Sequence, residues 1–147
     1  MNEAEREEFL LRFAEGGEHD TTLVGFCVLG GIFSEGIDLK NDSLIGAVIV
    51  GTGLPMVCNE REILKSYFEN GGDNGFDYAY KYPGMNKVLQ AAGRVIRTME
   101  DVGVVALLDE RFLTIPYTKM FPREWENYER VSLNNIEDAV DKFWKKW

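Results

Sequence analysis

Three continuous apolar runs alternate with helical patterns along this 147-residue chain. The runs cover residues 22–29, 44–51 and 103–109, and each has the length of one strand. Strands that are apolar on both faces are typical of parallel sheets covered by helices on either side. The pattern therefore predicts one α/β domain with three layers, a mainly parallel sheet flanked by helices. The helical patterns cover residues 3–15, 60–69, 84–98 and about 136–143.

Shorter signals fill the remaining chain. The aromatic segment 76–82 leads through Pro83 into the long helix, because proline is favoured in a first turn. The helix at 60–69 is expected to bury Ile63, Leu64, Tyr67 and Phe68. We further expect a short helix within 111–121, an edge strand at 128–132, and Asn134 or Asn135 as the cap of the last helix.

Composition excludes several classes of protein. A net charge of −9 argues against broad contact with a phosphate backbone, although a narrow groove contact stays open. No apolar run approaches the roughly 20 residues that span a bilayer. The charged start, residues 1–6, does not have the pattern of a signal peptide. We therefore expect a cytoplasmic protein that has no membrane partner.

Few residues could bind a metal or act as nucleophiles. Cys27 and Cys58 are too few and too far apart for a metal knuckle. His19, the only histidine, would have to serve any Ser-His-Asp set alone. No metal site and no histidine-based catalysis are expected.

A polar stripe interrupts the apolar run at 88–96. The run is expected to be a helix, on which Gln90, Arg94 and Arg97 are spaced i, i+4 and i+7 and share one face. A guanidinium needs an anionic partner when it is buried. Glu100 and Asp101 lie beyond the expected helix and could pair with only part of this charge. The partner is either a ligand phosphate, which suits the planar arginine fork, or carboxylates from elsewhere in the fold.

A glycine-rich loop follows the first apolar run. It begins at Gly30-Gly31 and continues through Ser34, Glu35 and Asp38. Ligands of doubly wound sheets lie at the carboxyl ends of strands, and glycines allow a ligand to approach the backbone. Such a loop is either an ordinary turn or part of a binding site, and spacing alone leaves both open.

The residues of these two stretches resemble the motifs of a known family. Gln90-Ala91-Ala92-Gly93-Arg94-Val95-Ile96-Arg97 resembles motif VI of superfamily 2 helicases, and residues 30–39 resemble motif V. Ile96 before the last arginine, together with Tyr82-Pro83-Gly84 upstream, is similar to the XPD/DinG branch of DNA helicases. The motifs occur in the family's order, and residues 102–112 are similar to the stretch after motif VI. The resemblance covers roughly residues 6–145.

The resemblance implies a RecA-like fold and roles for single residues. Arg97 would be the first and Arg94 the second arginine finger, and Gln90 would help to orient them near ATP. Gly36 and Asp38 would lie near the nucleotide, and Ser34 and Glu35 near single-stranded DNA or the cleft between domains.

The patterns of a first motor domain are not found in the chain. Residues 1–147 contain no Gly-x-x-x-x-Gly-Lys-Ser/Thr loop, and Asp109-Glu110-Arg111-Phe112 does not fit the acidic Asp-Glu-x-His form. The resemblance thus implies the second motor domain of a longer helicase, with ATP and Mg²⁺ held mainly by a first RecA-like domain. The iron–sulfur cysteines of XPD relatives belong to that first half and are not expected here. We expect the isolated chain to be inactive, and the sequence leaves its oligomeric state undetermined.

Two other classes of function remain open. A non-catalytic α/β module could dock on a partner protein through the aromatic segment 76–82, with the arginine stripe paired internally. Phosphate ligands would then leave its stability unchanged. An independent nucleotide-binding enzyme is disfavoured because no phosphate loop is found.

Overall fold

The computed structural model describes residues 2–14, 22–31, Phe33 and 44–147. Two strands and five α-helices are described, together with a π-helical turn and two 3₁₀ turns. In chain order they are α1 (Glu3–Ala14), β1 (Gly46–Val50), α2 (Asn59–Asn70), the π turn (Asp77–Lys81), α3 (Tyr82–Ala92), β2 (Val104–Leu108), a 3₁₀ turn (Glu110–Leu113), α4 (Ile115–Thr118), a second 3₁₀ turn (Arg123–Trp125) and α5 (Ile136–Trp144).

The two strands pair in parallel, as the sequence predicts. Gly46 lies opposite Val104, and the register continues to Val50 opposite Leu108. The helices connecting and flanking this pair give a mixed architecture consistent with a RecA-like α/β fold. Within the described residues only one face of β1 is covered. Ile49 is 4% exposed, whereas Val48 and Val50 on the other face are 66% and 74% exposed.

The strand predicted at 22–29 is wrong. Residues 22–28 form neither helix nor strand, and the side chains of Val24, Phe26 and Val28 are exposed. An apolar composition favours a strand only where a neighbour completes the hydrogen-bond ladder. In the described part of the chain, that ladder joins β1 to β2 alone. Leu29, at the end of the run, does pack against the hydrophobic core.

The edge strand predicted at 128–132 is also wrong. These residues carry no strand in the structure. The amide of Tyr128 donates to the carbonyl of Trp125, and its ring meets Phe121 edge to face at 5.5 Å. Aromatic packing rather than sheet pairing therefore orders the start of this segment. The last helix was correctly predicted, whereas the single short helix predicted at 111–121 is in fact the 3₁₀ turn Glu110–Leu113 followed by α4 (Ile115–Thr118). Asn135 precedes α5, but its side chain accepts from Ser132 instead of capping the helix.

The core lies between the covered face of the sheet and α3. Met85, Val88 and Ala92 are spaced i, i+3 and i+7, so they share one side of α3, and all three are buried. They pack with Ile49 from β1, and with Phe112 and Tyr117 from the segment after β2. Burial of these side chains fixes α3 on the sheet.

The start of α3 is set by a close contact between two backbones. Pro83 lies in its first turn, as the sequence predicts. The next residue, Gly84, meets the loop after β1 so closely that a Cβ there would lie 2.7 Å from the carbonyl oxygen of Thr52. On the loop side, Gly53 has φ +66° and would place a Cβ 2.6 Å from the carbonyl oxygen of Gly84. Both positions require glycine for close approach.

Helix α2 is fastened to the π turn by polar side chains. Arg61 donates to the carbonyl of Ala79 at 2.6 Å, and the hydroxyl of Tyr80 donates to the Glu62 carboxylate at 2.5 Å. The hydrogen bond from the phenol to Glu62 raises the pKa of Tyr80 to about 12. These bonds place Tyr80 and Ala79 in the interior of the fold.

The aromatic segment is therefore partly structural. Tyr78 stacks on Phe68 of α2 with ring centroids 4.0 Å apart, while about two-fifths of its surface stays exposed. The apolar side predicted for α2 is wrong in part, because Ile63 and Tyr67 are 70% and 71% exposed. The polar bonds to the π turn orient α2 so that this side faces solvent in the described structure.

Candidate functional site

The stretch from Gln90 to Arg97 does not form one continuous helix. Helix α3 ends at Ala92, where the Gly93 amide donates to the carbonyl of Leu89. The amides of Arg94 and Val95 then bond three residues back, which tightens the last turn. Gln90 is thus the only member of the predicted polar stripe on the helix, and the helix predicted to reach residue 98 is too long.

Asp101 orders the backbone beyond this ending. One oxygen of its carboxylate, Oδ2, accepts from the amides of Arg97 at 2.8 Å and of Thr98 at 2.7 Å. These backbone hydrogen bonds, the one from Arg97 first, lower the pKa of Asp101, and the Arg97 charge adds a smaller effect. The sequence suggested Asp101 as a partial partner for the arginine charges. Its main role in the structure is instead to hold the backbone at Arg97.

The arginine stretch crosses the amino ends of both strands. Val95 is buried against Gly103, the residue before β2. A Cβ on Gly103 would also lie 2.9 Å from the carbonyl oxygen of Ile45, the residue before β1. Arg94 and Arg97 are half-buried here, and the Nε atom of Arg97 is shielded from solvent. A desolvated guanidinium interacts strongly with an anion, because the local dielectric constant is lower than that of water.

The carboxyl ends of the strands carry a different polar group. Arg111 donates through Nε and a terminal nitrogen to the two carboxylate oxygens of Asp109, at 2.8 and 2.7 Å. The hydrogen bond to Arg111 lowers the pKa of Asp109, and the same bond raises the pKa of Arg111. Sequence reasoning missed this pair. The signal for it is an Asp-x-Arg placed directly after a strand, where the aspartate also accepts the amide of Arg111.

Only the start of the glycine-rich loop can be located. Ser34, Glu35, Gly36 and Asp38 lie outside the described residues, so their predicted roles stay predictions. The turn that opens the loop is closed by the Gly31 amide, which donates to the carbonyl of Val28 at 2.9 Å.

The same turn lies beside α3. Gly30 has φ +79°, and a Cβ on it would lie 2.9 Å from Cδ and Cε of Lys87. Lys87 precedes Gln90 by three residues on the same side of α3. The start of the loop and the helix of the arginine stretch are therefore neighbours, and Lys87 is a polar residue between them that sequence reasoning missed.

The amino-acid sequence that forms this arrangement matches a known domain. The chain belongs to the family of the helicase C-terminal domain, whose model matches residues 1–128. The resemblance to XPD/DinG-type helicases, predicted from the two motifs, is confirmed.

Curated relatives carry helicase names. The chain is 30% identical to a regulator of telomere elongation helicase 1 homolog of Caenorhabditis briggsae, over 92% of this chain and 15% of that protein. It is 29% identical to a probable ATP-dependent helicase of Methanocaldococcus jannaschii, over 97% of this chain and 23% of that protein. It is 35% identical to the ATP-dependent DNA helicase DinG of Photobacterium profundum, over 69% of this chain and 15% of that protein. The chain thus spans less than a quarter of the length of these relatives.

Among the described residues, no helix has the length and apolar character needed to cross a membrane.

Proposed function

We propose that this chain is the second motor domain of an ATP-dependent DNA helicase, which supplies arginine fingers to ATP bound on a first RecA-like domain. The observation that supports this most directly is the half-buried pair Arg94 and Arg97, held on an ordered turn in a chain of the helicase C-terminal family. The relatives are named as helicases, one of them as an ATP-dependent DNA helicase, and they are several times longer, which supports a partner motor domain.

Each arginine acts electrostatically. When the terminal phosphoryl group of ATP is transferred to water, negative charge develops on its oxygens, and a positioned guanidinium stabilises that charge. Arg97 is the first choice for this role because Asp101 fixes its backbone through two amides. Positioning before the reaction matters, since a preorganised group needs no rearrangement in the transition state. Arg94 is the second finger, and Gln90 orients the group.

The other residues of the two motifs complete the proposed site. ATP and Mg²⁺ are bound mainly by the first motor domain, and the metal ion neutralises phosphate charge there. On this chain, Gly36 and Asp38 lie near the nucleotide. Ser34 and Glu35 couple it to single-stranded DNA, so that hydrolysis drives translocation from 5′ to 3′. The isolated chain hydrolyses no ATP, because its arginines then lack a phosphate to act on.

The test is DNA-stimulated ATPase activity of the motor formed by this chain and the first RecA-like domain of the same protein. Arg97→Ala should lower kcat by about 10³-fold or more, since an arginine finger contributes about 10³ to 10⁵. Arg130→Ala is the matched control, because Arg130 is exposed and lies over the ring of Tyr128. Circular dichroism should show the same fold for both variants. Undiminished ATPase in Arg97→Ala would remove Arg97 from the mechanism.

The alternative of a non-catalytic docking module predicts a different result. In that case Arg94 and Arg97 pair only with carboxylates of the chain. Replacing Arg94 or Arg97 by alanine would then lower the thermal stability of the chain. Neither the nucleotide nor DNA would change the stability of the wild-type chain.

A further inference from the structure

Asp101 bonds to the backbone of the segment that carries the two arginines, here called the arginine turn (residues 93–98). One carboxylate oxygen, Oδ2, accepts the amide of Arg97 at 2.8 Å and the amide of Thr98 at 2.7 Å. The amide of Glu100 also donates to Oγ1 of Thr98 at 3.3 Å. These hydrogen bonds close the chain from Arg97 to Asp101 on itself, so the half-buried carboxylate fixes the backbone at Arg97.

Packing fixes the earlier part of the arginine turn. Helix α3 ends at Ala92, and Val95 beyond it is 4% exposed. A Cβ on Gly103, the residue before β2, would overlap with Cγ1 of Val95, so the turn lies directly on the entrance to the strand. Asp101 belongs to the same connection as Gly103. Its hydrogen bonds therefore extend the anchored part of the turn from Val95 to Arg97.

The backbone at Arg97 determines where its guanidinium can reach. The side chain is half-buried and its Nε is shielded from solvent, so the surrounding atoms leave it little room to compensate for a rotation of the backbone. A shift of about 1 Å in a group that stabilises a transition state can lower the rate about 100-fold. The two amides lower the pKa of Asp101 more than the charge of Arg97 does, which indicates that the carboxylate acts on the backbone more than on the guanidinium.

We propose that Asp101 is a positioning residue for Arg97, because its carboxylate holds the arginine turn in the conformation that directs the guanidinium at the phosphate. The inference rests on the proposed function, since it assigns Asp101 no effect on the rate if Arg97 takes no part in hydrolysis. It goes beyond that function in one respect: Asp101 contributes to kcat, and it does so only through Arg97.

The first test measures the turn itself, in the 147-residue chain, by hydrogen exchange of single amides. The amides of Arg97 and Thr98 should exchange about tenfold faster in Asp101→Ala, because each loses a hydrogen bond to a charged acceptor. Asp101→Asn should restore most of the protection, since one side-chain oxygen accepts both amides. Asn135→Ala is the matched control: its oxygen accepts the amide of Ser132 in another turn, so exchange at Arg97 should not change.

The second test is the DNA-stimulated ATPase of the motor formed by this chain and the first RecA-like domain of the same protein. Asp101→Ala should lower kcat about 10- to 100-fold, because the finger is misplaced. The KM for ATP should stay the same, since the nucleotide is held mainly by the first domain, and Asp101→Asn should recover most of the rate. Asp138→Ala is the control, because Asp138 is exposed on α5 and the change in charge is equal.

A double-mutant cycle separates positioning from a general loss of structure. In a protein that already carries Arg97→Ala, adding Asp101→Ala should change kcat less than about twofold, because the group that it positions is gone. If Asp101→Ala does not fold, Asp101→Glu takes its place in the cycle. It keeps the charge but moves the carboxylate by one methylene group, so kcat should again fall only while Arg97 is present.

Three results would overturn the proposal. The first is unchanged exchange at the amides of Arg97 and Thr98 in Asp101→Ala. The second is an unchanged kcat in that variant when circular dichroism shows it folded. The third is an equal loss of kcat with and without Arg97. The proposed function survives all three as long as Arg97→Ala alone abolishes ATPase, and it fails separately if that variant is fully active.

Discussion

The contact between Gly84 and the loop after β1 allows a test in which two effects of one substitution oppose each other. Gly84→Ala adds a methyl group inside helix α3, where alanine is favoured over glycine by about 1 kcal/mol. The same methyl would lie 2.7 Å from the carbonyl oxygen of Thr52 and 3.1 Å from the backbone of Gly53 and Leu54. Backbone atoms cannot turn aside as a flexible side chain can, so α3 must move by several tenths of an ångström. Overpacking of this kind costs about 1 to 3 kcal/mol or more, and the steric term should therefore prevail.

We expect Gly84→Ala to lower the free energy of unfolding by up to about 2 kcal/mol, the steric cost less the gain in helix propensity, measured by urea denaturation with circular dichroism. Gly71→Ala is the matched control. Gly71 follows α2 with φ −79°, which alanine can adopt, and an added Cβ would lie no closer than 3.3 Å to another atom, the carbonyl oxygen of Phe68, so this change should be nearly neutral. If Gly84→Ala were as stable as Gly71→Ala, the close approach of α3 to the loop would be refuted.

Two further predictions concern polar groups. Thr52 is 1% exposed and its Oγ1 makes no hydrogen bond with the described residues, so Thr52→Val should raise the free energy of unfolding by about 1 kcal/mol. A Thr52→Val protein less stable than the wild type would mean that the hydroxyl has a bonding partner. Asp101 has a lowered pKa, so its contribution to stability is present above its ordinary value of 3.8 and is lost as the pH falls through the lower folded value. Asp101→Asn keeps an acceptor oxygen but does not titrate, and the gap in thermal midpoint between it and the wild type should shrink on acidification below that range. A gap that stays constant with pH would show that the charge on Asp101 does not hold the Arg97 turn.

Sequence patterns correctly located three of the main elements. The strands β1 and β2 fall within the predicted runs, and α2 begins one residue before its predicted start. The strands were located by continuous apolar runs as long as one strand, and α2 by the helical spacing of its apolar residues. The pairing of β1 with β2 joins residues far apart in the chain, and the runs do not reveal it. The strands expected at 22–29 and 128–132 failed for this reason. A strand exists only when another strand pairs with it, and composition contains no information on that partner.

In the candidate site, too, some features could be predicted from the sequence and others could not. The residue types at positions 90–97 were sufficient to predict the family, and the order of the two motifs supported that prediction. The helical stripe was wrong because the helix ends at Ala92, and Asp101 then accepts the amides of Arg97 and Thr98, which a helix over 84–98 would have bonded to its own carbonyls. The sequence did not reveal that Lys87 lies beside the start of the loop, because its neighbour Gly30 is 57 positions earlier in the sequence.

These contacts imply that α3 is held rigidly in place, and that it does not present the polar face that the sequence predicted. Its first turn is fixed by Gly84 against Thr52, and its middle is fixed by Met85 and Val88 in the core. Beyond its last turn, Val95 is buried against the residue that precedes β2. The arginines are thus presented from a turn anchored on both sides, not from a freely rotating helix surface. A transition state is stabilised best by groups already in place, so rigidity on both sides of the turn is what the proposed role of Arg94 and Arg97 as arginine fingers would require.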